Sequence, residues 1–154
     1  MRKIISLLFL GLGLIFCSCA GTAPQVHQFE NKVVFESSFD EVWSAIIETF
    51  AERNIPITNM EKVSGFIATE EMKFESEYAD CGTTYMGTKF GSGGVLGKFN
   101  VFVKELSPRK YNVTINALYR VDVSYRAPAY RNCESTGKLE AWFMATLRTK
   151  LYKP

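Results

Sequence analysis

Apolar residues along the chain change spacing several times, and each change marks an element. Ile4 to Phe16 is a nearly continuous apolar run, too short to span a bilayer comfortably but suited to the hydrophobic part of a secretory signal. Ala20 to Gln28 has few large apolar side chains, contains Gly21 and Pro24, and reads as a tether. Phe29 to Glu36, with Val33, Val34 and Phe35 in succession, predicts a first strand. From Phe39 the period becomes helical. Phe39, Val42, Trp43, Ile46, Ile47 and Phe50 fall on one broad face. Ser38 and Glu41 have the spacing of a capping box at its start, and Asn54 and Pro56 stop it.

The second half alternates instead. Ile55 to Met60 and Gly65 to Phe74 read as two strands joined by a polar turn near Glu61 to Ser64. Phe99, Val101 and Val103 share one face of a strand ending near Leu106. Pro108 presets a turn, and Tyr111 to Val123 returns antiparallel. Val113, Ile115, Ala117, Tyr119, Val121 and Val123 lie on one side of that return strand, with Thr114, Asn116, Arg120 and Asp122 on the other. A last helix, Lys138 to Tyr152, repeats Leu139, Phe143, Leu147 and Leu151, with Trp142 and Thr146 beside them. The order β-α-β-β-β-β-α predicts an α+β fold. Its antiparallel sheet carries an N-terminal helix and a long C-terminal helix on it.

The apolar run at the start ends in Phe16-Cys17-Ser18-Cys19-Ala20. This resembles the lipobox of bacterial lipoproteins. Ser18 supplies the small residue that a signal peptidase needs before the cut, whereas Cys17 is preceded by Phe16, so Cys19 is the expected lipidated residue. The alternatives are an ordinary signal peptide cut near Ala20 or Ala23, or a retained N-terminal helix. The resemblance implies a signal peptide over residues 1–18, a tether over 19–28 and a single domain over 29–154. Ala20 is not acidic, which by the same resemblance implies an outer-membrane anchor. The body would then sit in the periplasm or at the cell surface.

Removing residues 1–18 leaves 136 residues (154 − 18), enough for one hydrophobic core. It also removes Arg2 and Lys3, leaving 16 basic and 16 acidic residues and a net charge of zero. A neutral chain argues against nucleic-acid binding, which needs a clustered basic face. Cys81 and Cys133 remain as an even pair, 52 positions apart. In an oxidising compartment they are expected to form a structural disulfide. The alternatives, a redox couple or metal ligands, lack a Cys-x-x-Cys spacing and a neighbouring histidine.

Three other features carry candidate chemistry. Cys81 to Gly97 contains six of the eleven glycines. Its Gly91 to Lys98 run fails as a P-loop, since Ser92 stands at a required glycine and Phe99 at the Mg²⁺-binding hydroxyl. It reads as a loop open to gating or partner contact. Glu70 to Asp80 is acidic without Ca²⁺-loop spacing and reads as a solvated strand edge. Tyr119-Arg120, Tyr125-Arg126 and Tyr130-Arg131 are repeated pairs of the two residue types most enriched at binding hot spots. They are candidate partner-binding residues, set against the simpler reading of tyrosines packed on a sheet and arginines in water.

Ser38 to Trp43, followed by Ile55 to Thr69 with Gly65 and Thr69, resembles the repeated domains of BamC-type lipoproteins of the outer-membrane barrel-assembly machinery. The same Ser-x-x-Glu-Val-Trp pattern is similar to lipid-binding helix-grip domains. The only histidine, His27, lies in the tether, so no catalytic residues, metal ligands or cofactor are assigned, and an enzyme is not expected. The leading expectation is a non-catalytic envelope docking or assembly component with a protein partner. The alternative is a binding module for an apolar or amphiphilic ligand held between sheet and helix. A filled core favours the first and an apolar cavity the second.

Overall fold

The computed structural model describes residues 21–123 and 129–152. Strands are β1 (Lys32–Glu36), β2 (Ile57–Glu61), β3 (Phe66–Thr69), β4 (Met72–Phe74), β5 (Ala79–Asp80), β6 (Val95–Ser107), β7 (Lys110–Asp122) and β8 (Tyr130–Ser135). Helices are α1 (Phe39–Glu52) and α2 (Lys138–Leu151), and Ser76–Tyr78 is a short 3₁₀ turn. The class is α+β with both helices present, as the hydrophobic pattern predicts. The sheet has eight strands, where the pattern indicated five.

β6 and β7 form the hairpin around which the rest is built. They pair antiparallel from Leu96↔Arg120 to Ser107↔Lys110. Each is longer than its other neighbours, so each takes two strands along its free edge. β3 and β4 line β6, through Ile67↔Val101 and Lys73↔Leu96. β1 and β8 line β7, through Val33↔Val113 and Val121↔Arg131. β2 extends the sheet beyond β3, and β5 beyond β8.

α1 begins on the predicted capping box. Ser38 Oγ accepts from the Glu41 N–H (3.3 Å), and the Glu41 carboxylate accepts from the Ser38 N–H (2.8 Å) and the Ser37 hydroxyl (2.6 Å). Those bonds, the Ser37 hydroxyl first, hold the Glu41 carboxyl from its ordinary 4.5 down to about 2. Val42, Ile46 and Phe50 on α1 and Leu139, Phe143 and Leu147 on α2 all face the sheet and are buried. Phe50 stacks on Phe99 at 5.6 Å and meets the edge of Phe143 at 5.7 Å, while Phe99 meets Phe143 at 6.0 Å. Burying a ring of this size stabilises by about 1.5–3 kcal/mol. These three rings join helix to helix and both helices to β6.

A second, smaller core lies at the far end of the sheet. Ala79, Cys81, Val95, Tyr119 and Val121 are buried there, with Phe74, Tyr78, Phe90 and Cys133 against them. Cys81 and Cys133 are bonded (S–S 2.04 Å), tying β8 to the chain that follows β5.

Besides the two-residue strand β5, which was not expected, three elements differ from the sequence expectation. The expected strand Gly65–Phe74 breaks into β3 and β4 at Glu70 and Glu71. The Glu70 N–H turns away to the Pro56 carbonyl (3.0 Å), and the Glu71 side chain goes to Arg120. β8 has no apolar alternation and was not expected; it forms because β7 offers a free edge and the disulfide holds it there. Phe29 is outside β1. Its ring lies over Gly137, which takes φ 81 at the start of α2 and where a methyl group would overlap the ring.

That contact lies by a gap in the sheet. On the free edge of β7, pairing with β1 ends at Thr114 and pairing with β8 starts at Tyr119. The Ile115 N–H is taken by the Asn31 carbonyl (2.9 Å) and the Ala117 N–H by the Glu140 carboxylate. Glu140 also accepts from the Ser135 hydroxyl (3.0 and 3.1 Å). It is buried, and burial raises its carboxyl above the usual range. This carboxylate therefore satisfies a ladder donor that no strand reaches.

Candidate functional site: the open face of the sheet

Side chains alternate across a sheet, so the strands that bury Phe99, Val101, Val113 and Ile115 present a second set outward. Neither helix covers that set. Asn59, Ala68, Asn100 and Asn116 stand in one row across β2, β3, β6 and β7. Asn31 donates to Asn116 (3.1 Å), and Asn116 donates to Asn100 (3.1 Å). Lys98 and Leu118 form the next row, then Leu96, Arg120 and Asn132. With the segment from Val26 to Asn31 along one side, this face is a groove of about 1450 Å³. Leu118 stands in it 61% exposed.

Arg120 is the best-held charge of the groove. Its Nε and Nη2 each lie 2.6 Å from one oxygen of Glu71, a two-pronged pair. The Tyr130 ring lies 4.0 Å from its guanidinium carbon. The hydrogen bonds from Arg120 lower the Glu71 carboxyl, and the same bonds raise Arg120. Glu71 takes the Nε–Nη2 edge of the guanidinium and Tyr130 lies over one face, so its position is fixed from two directions.

The other predicted contact residues divide. Arg131 lies over the Phe90 ring and donates to the Thr22 carbonyl (3.3 Å), so it braces the body. Tyr130 is half-exposed beside Arg120. Tyr119 is only 4% exposed, points into the second core, and offers no surface to a partner. Burial pushes its hydroxyl up, and that hydroxyl has no hydrogen-bond partner. Period-two alternation already separates Tyr119 from Arg120, so that pair does not share one face. Tyr125, Arg126 and Cys19 lie outside the described residues. Asn31, Asn100, Asn116 and Leu118 belong to no sequence motif: Asn31 precedes β1, and the others are ordinary outward strand positions. Only the register brings them into one groove.

The tether expectation also changes. Gly21 to Gln28 is irregular but held to the body. Thr22 and Thr83 are joined through their hydroxyls (2.9 Å), and each backbone N–H bonds the other residue (3.1 Å). Asp80 accepts from the N–H of Gly82 (2.8 Å) and of Gln25 (3.3 Å), and His27 lies 3.5 Å from it. The first two bonds lower the Asp80 carboxyl. The acidic stretch thus works as clasps: Glu71 on Arg120, Glu77 on Lys138 (2.7 Å) and Asp80 on the N-terminal segment.

No protein-family model and no curated protein matches this chain. Among the described residues no helix is long and apolar enough to cross a membrane.

Proposed function

We propose that this protein is a bacterial lipoprotein held in the outer membrane through Cys19, with its domain in the periplasm. There it acts as a non-catalytic docking or assembly component for an envelope protein. The observation that carries this reading is the contrast between a filled interior and a bare sheet face. Phe50, Phe99 and Phe143 occupy the space between helices and sheet, where a carrier of amphiphiles needs a cavity. The groove on the other face is polar in its centre, with the asparagine row, and apolar at Leu118. That mixture suits a polypeptide surface better than an acyl chain.

His27 lies 3.5 Å from Asp80, whose two oxygens each accept a backbone N–H, and no catalytic role is assigned to either. The Ser38 to Trp43 resemblance to BamC-type domains points the same way. The experiment is photo-crosslinking in intact cells from a probe at Leu118, with a second probe at Val63 on the β2–β3 turn. A discrete protein adduct at 118, absent at 63 and lost in Cys19→Ser, is expected. Equal labelling at both sites, or a lipid adduct alone at 118, overturns the docking reading. Cys19→Ser protein that stays in the membrane fraction overturns the anchor.

A further inference from the structure

The glycine-rich stretch contains one ordered piece. Thr83 bridges to Lys89. The Thr84 N–H donates to the Thr88 carbonyl (2.8 Å) and the Gly87 N–H to the Thr84 carbonyl (3.0 Å). The Thr84 hydroxyl oxygen accepts from the N–H groups of Met86 (3.3 Å) and Thr88 (3.2 Å). This small turn is braced on every side, yet it holds Tyr85 and Met86 at its tip, 70% and 76% exposed. Among the described residues nothing covers them.

The N-terminal segment leads to this tip. Followed backward, Gln25 lies at Asp80, Thr22 to Pro24 at Gly82, Thr22 at Thr83, and Gly21 at Thr83 and Thr84. A methyl group on Gly21 would overlap the Thr83 carbonyl, and one on Gly82 would overlap the Thr22 carbonyl. The two backbones are therefore in direct contact, and Gly21, the first described residue, lies one residue from Tyr85 along that turn. Cys19 is three residues before Thr22, at most about 10 Å of extended chain.

We propose that the Thr83–Lys89 turn lies in the headgroup layer of the leaflet that holds the anchor, with Tyr85 and Met86 at the acyl boundary, so that the body stands on the membrane in one orientation. This rests on the Cys19 anchor. The headgroup layer of one leaflet is roughly 5–7 Å deep, and Tyr85 is two residues beyond Thr83, at most about 7 Å. Tip and anchor therefore reach the same layer. Tyrosine, an apolar ring with a polar end, settles at that interface. Methionine adapts to the acyl boundary, and Lys89 beside the tip adds a positive charge toward anionic headgroups. The acyl chains supply the affinity. The turn supplies direction, because the anchor keeps it at high local concentration against the surface.

The test uses full-length lipidated protein in vesicles of phosphatidylethanolamine and phosphatidylglycerol. Met86→Cys, and separately Tyr85→Cys, is labelled with a nitroxide; the disulfide and the lipid leave the new thiol as the free one. Val63→Cys, 97% exposed on the turn between β2 and β3 at the opposite end of the sheet order, is the reference. Labels at 85 and 86 are expected to gain collisions with oxygen and lose collisions with a water-soluble nickel chelate, relative to 63. If the protein floats with the vesicles but 85 and 86 are as wet as 63, the orientation proposal is overturned and the anchor stands. If the protein does not float, the anchor reading falls and takes this proposal with it.

Discussion

The two faces of the β6–β7 hairpin are built from alternate residues of the same two strands and do opposite work. Inward, Phe99, Val101, Val103, Val113 and Ile115 meet two helices and are buried. Outward, Lys98, Asn100, Asn116 and Leu118 line a groove that neither helix covers. The hydrophobic effect is proportional to apolar area removed from water, so nearly all stabilisation from this hairpin comes from one face. The other face is free to be selected for recognition, because changing it costs the fold little.

The comparison can be broken most strongly from the covered side. Phe143→Ala removes a ring that touches both Phe50 and Phe99 and is expected to destabilise by about 3–5 kcal/mol, read as a lower urea midpoint. Next comes the staple of the smaller core. Replacing Cys81 and Cys133 together by serine is expected to lose about 2–4 kcal/mol. Dithiothreitol is expected to shift the melting curve of the wild type and to leave that of this variant unchanged.

A smaller effect tests the entry to α1 and has a defined sign with pH. The folded-state carboxyl of Glu41 sits at about 2, below its ordinary 4.5. Its stabilisation is therefore fully present above pH 4.5 and is lost as the pH falls toward 2. Glu41→Gln is expected to be less stable than wild type at pH 7, and the two melting temperatures should converge on acidification. A gap that persists at pH 2 would mean that the charge is not what Ser37 and Ser38 hold.

The smallest stability change is expected on the bare face. Leu118→Ala should move stability by no more than about 0.5 kcal/mol while abolishing the partner adduct formed by a probe at Asn100. Arg120→Ala leaves the one-third-exposed Glu71 without its partner and is expected to lower the melting temperature only slightly. Leu118→Ala with an unchanged adduct would remove the groove from the account without touching the fold.

Where the chain is strongly periodic, the reading of it survives in the structure. Ser38 and Glu41 cap α1, the β6–β7 hairpin turns where Pro108 and Arg109 stand, and Cys81 meets Cys133. These are local patterns or pairings forced by number. β8 was invisible because Tyr130 to Ser135 has no apolar alternation and is held by long-range contacts instead. The N-terminal segment looked like a free tether because hydrogen bonds from Thr22 to Thr83, 61 positions away, leave no trace in local composition. Tyr119 and Arg120 looked like one motif because adjacency in sequence was taken for adjacency on a surface. A strand sends neighbours to opposite faces.

By itself the sequence determined the α+β class, both helices, the central hairpin and which of its residues go inward. Period and capping act over a few residues and need no partner. Only the tertiary structure decided that the outward residues form a groove, that Glu140 fills the gap between β1 and β8, and that Gly21 to Gln28 is strapped beside the Tyr85 turn. Each of these depends on strand register and on contacts between distant segments, and loop closure leaves no local signature along the chain.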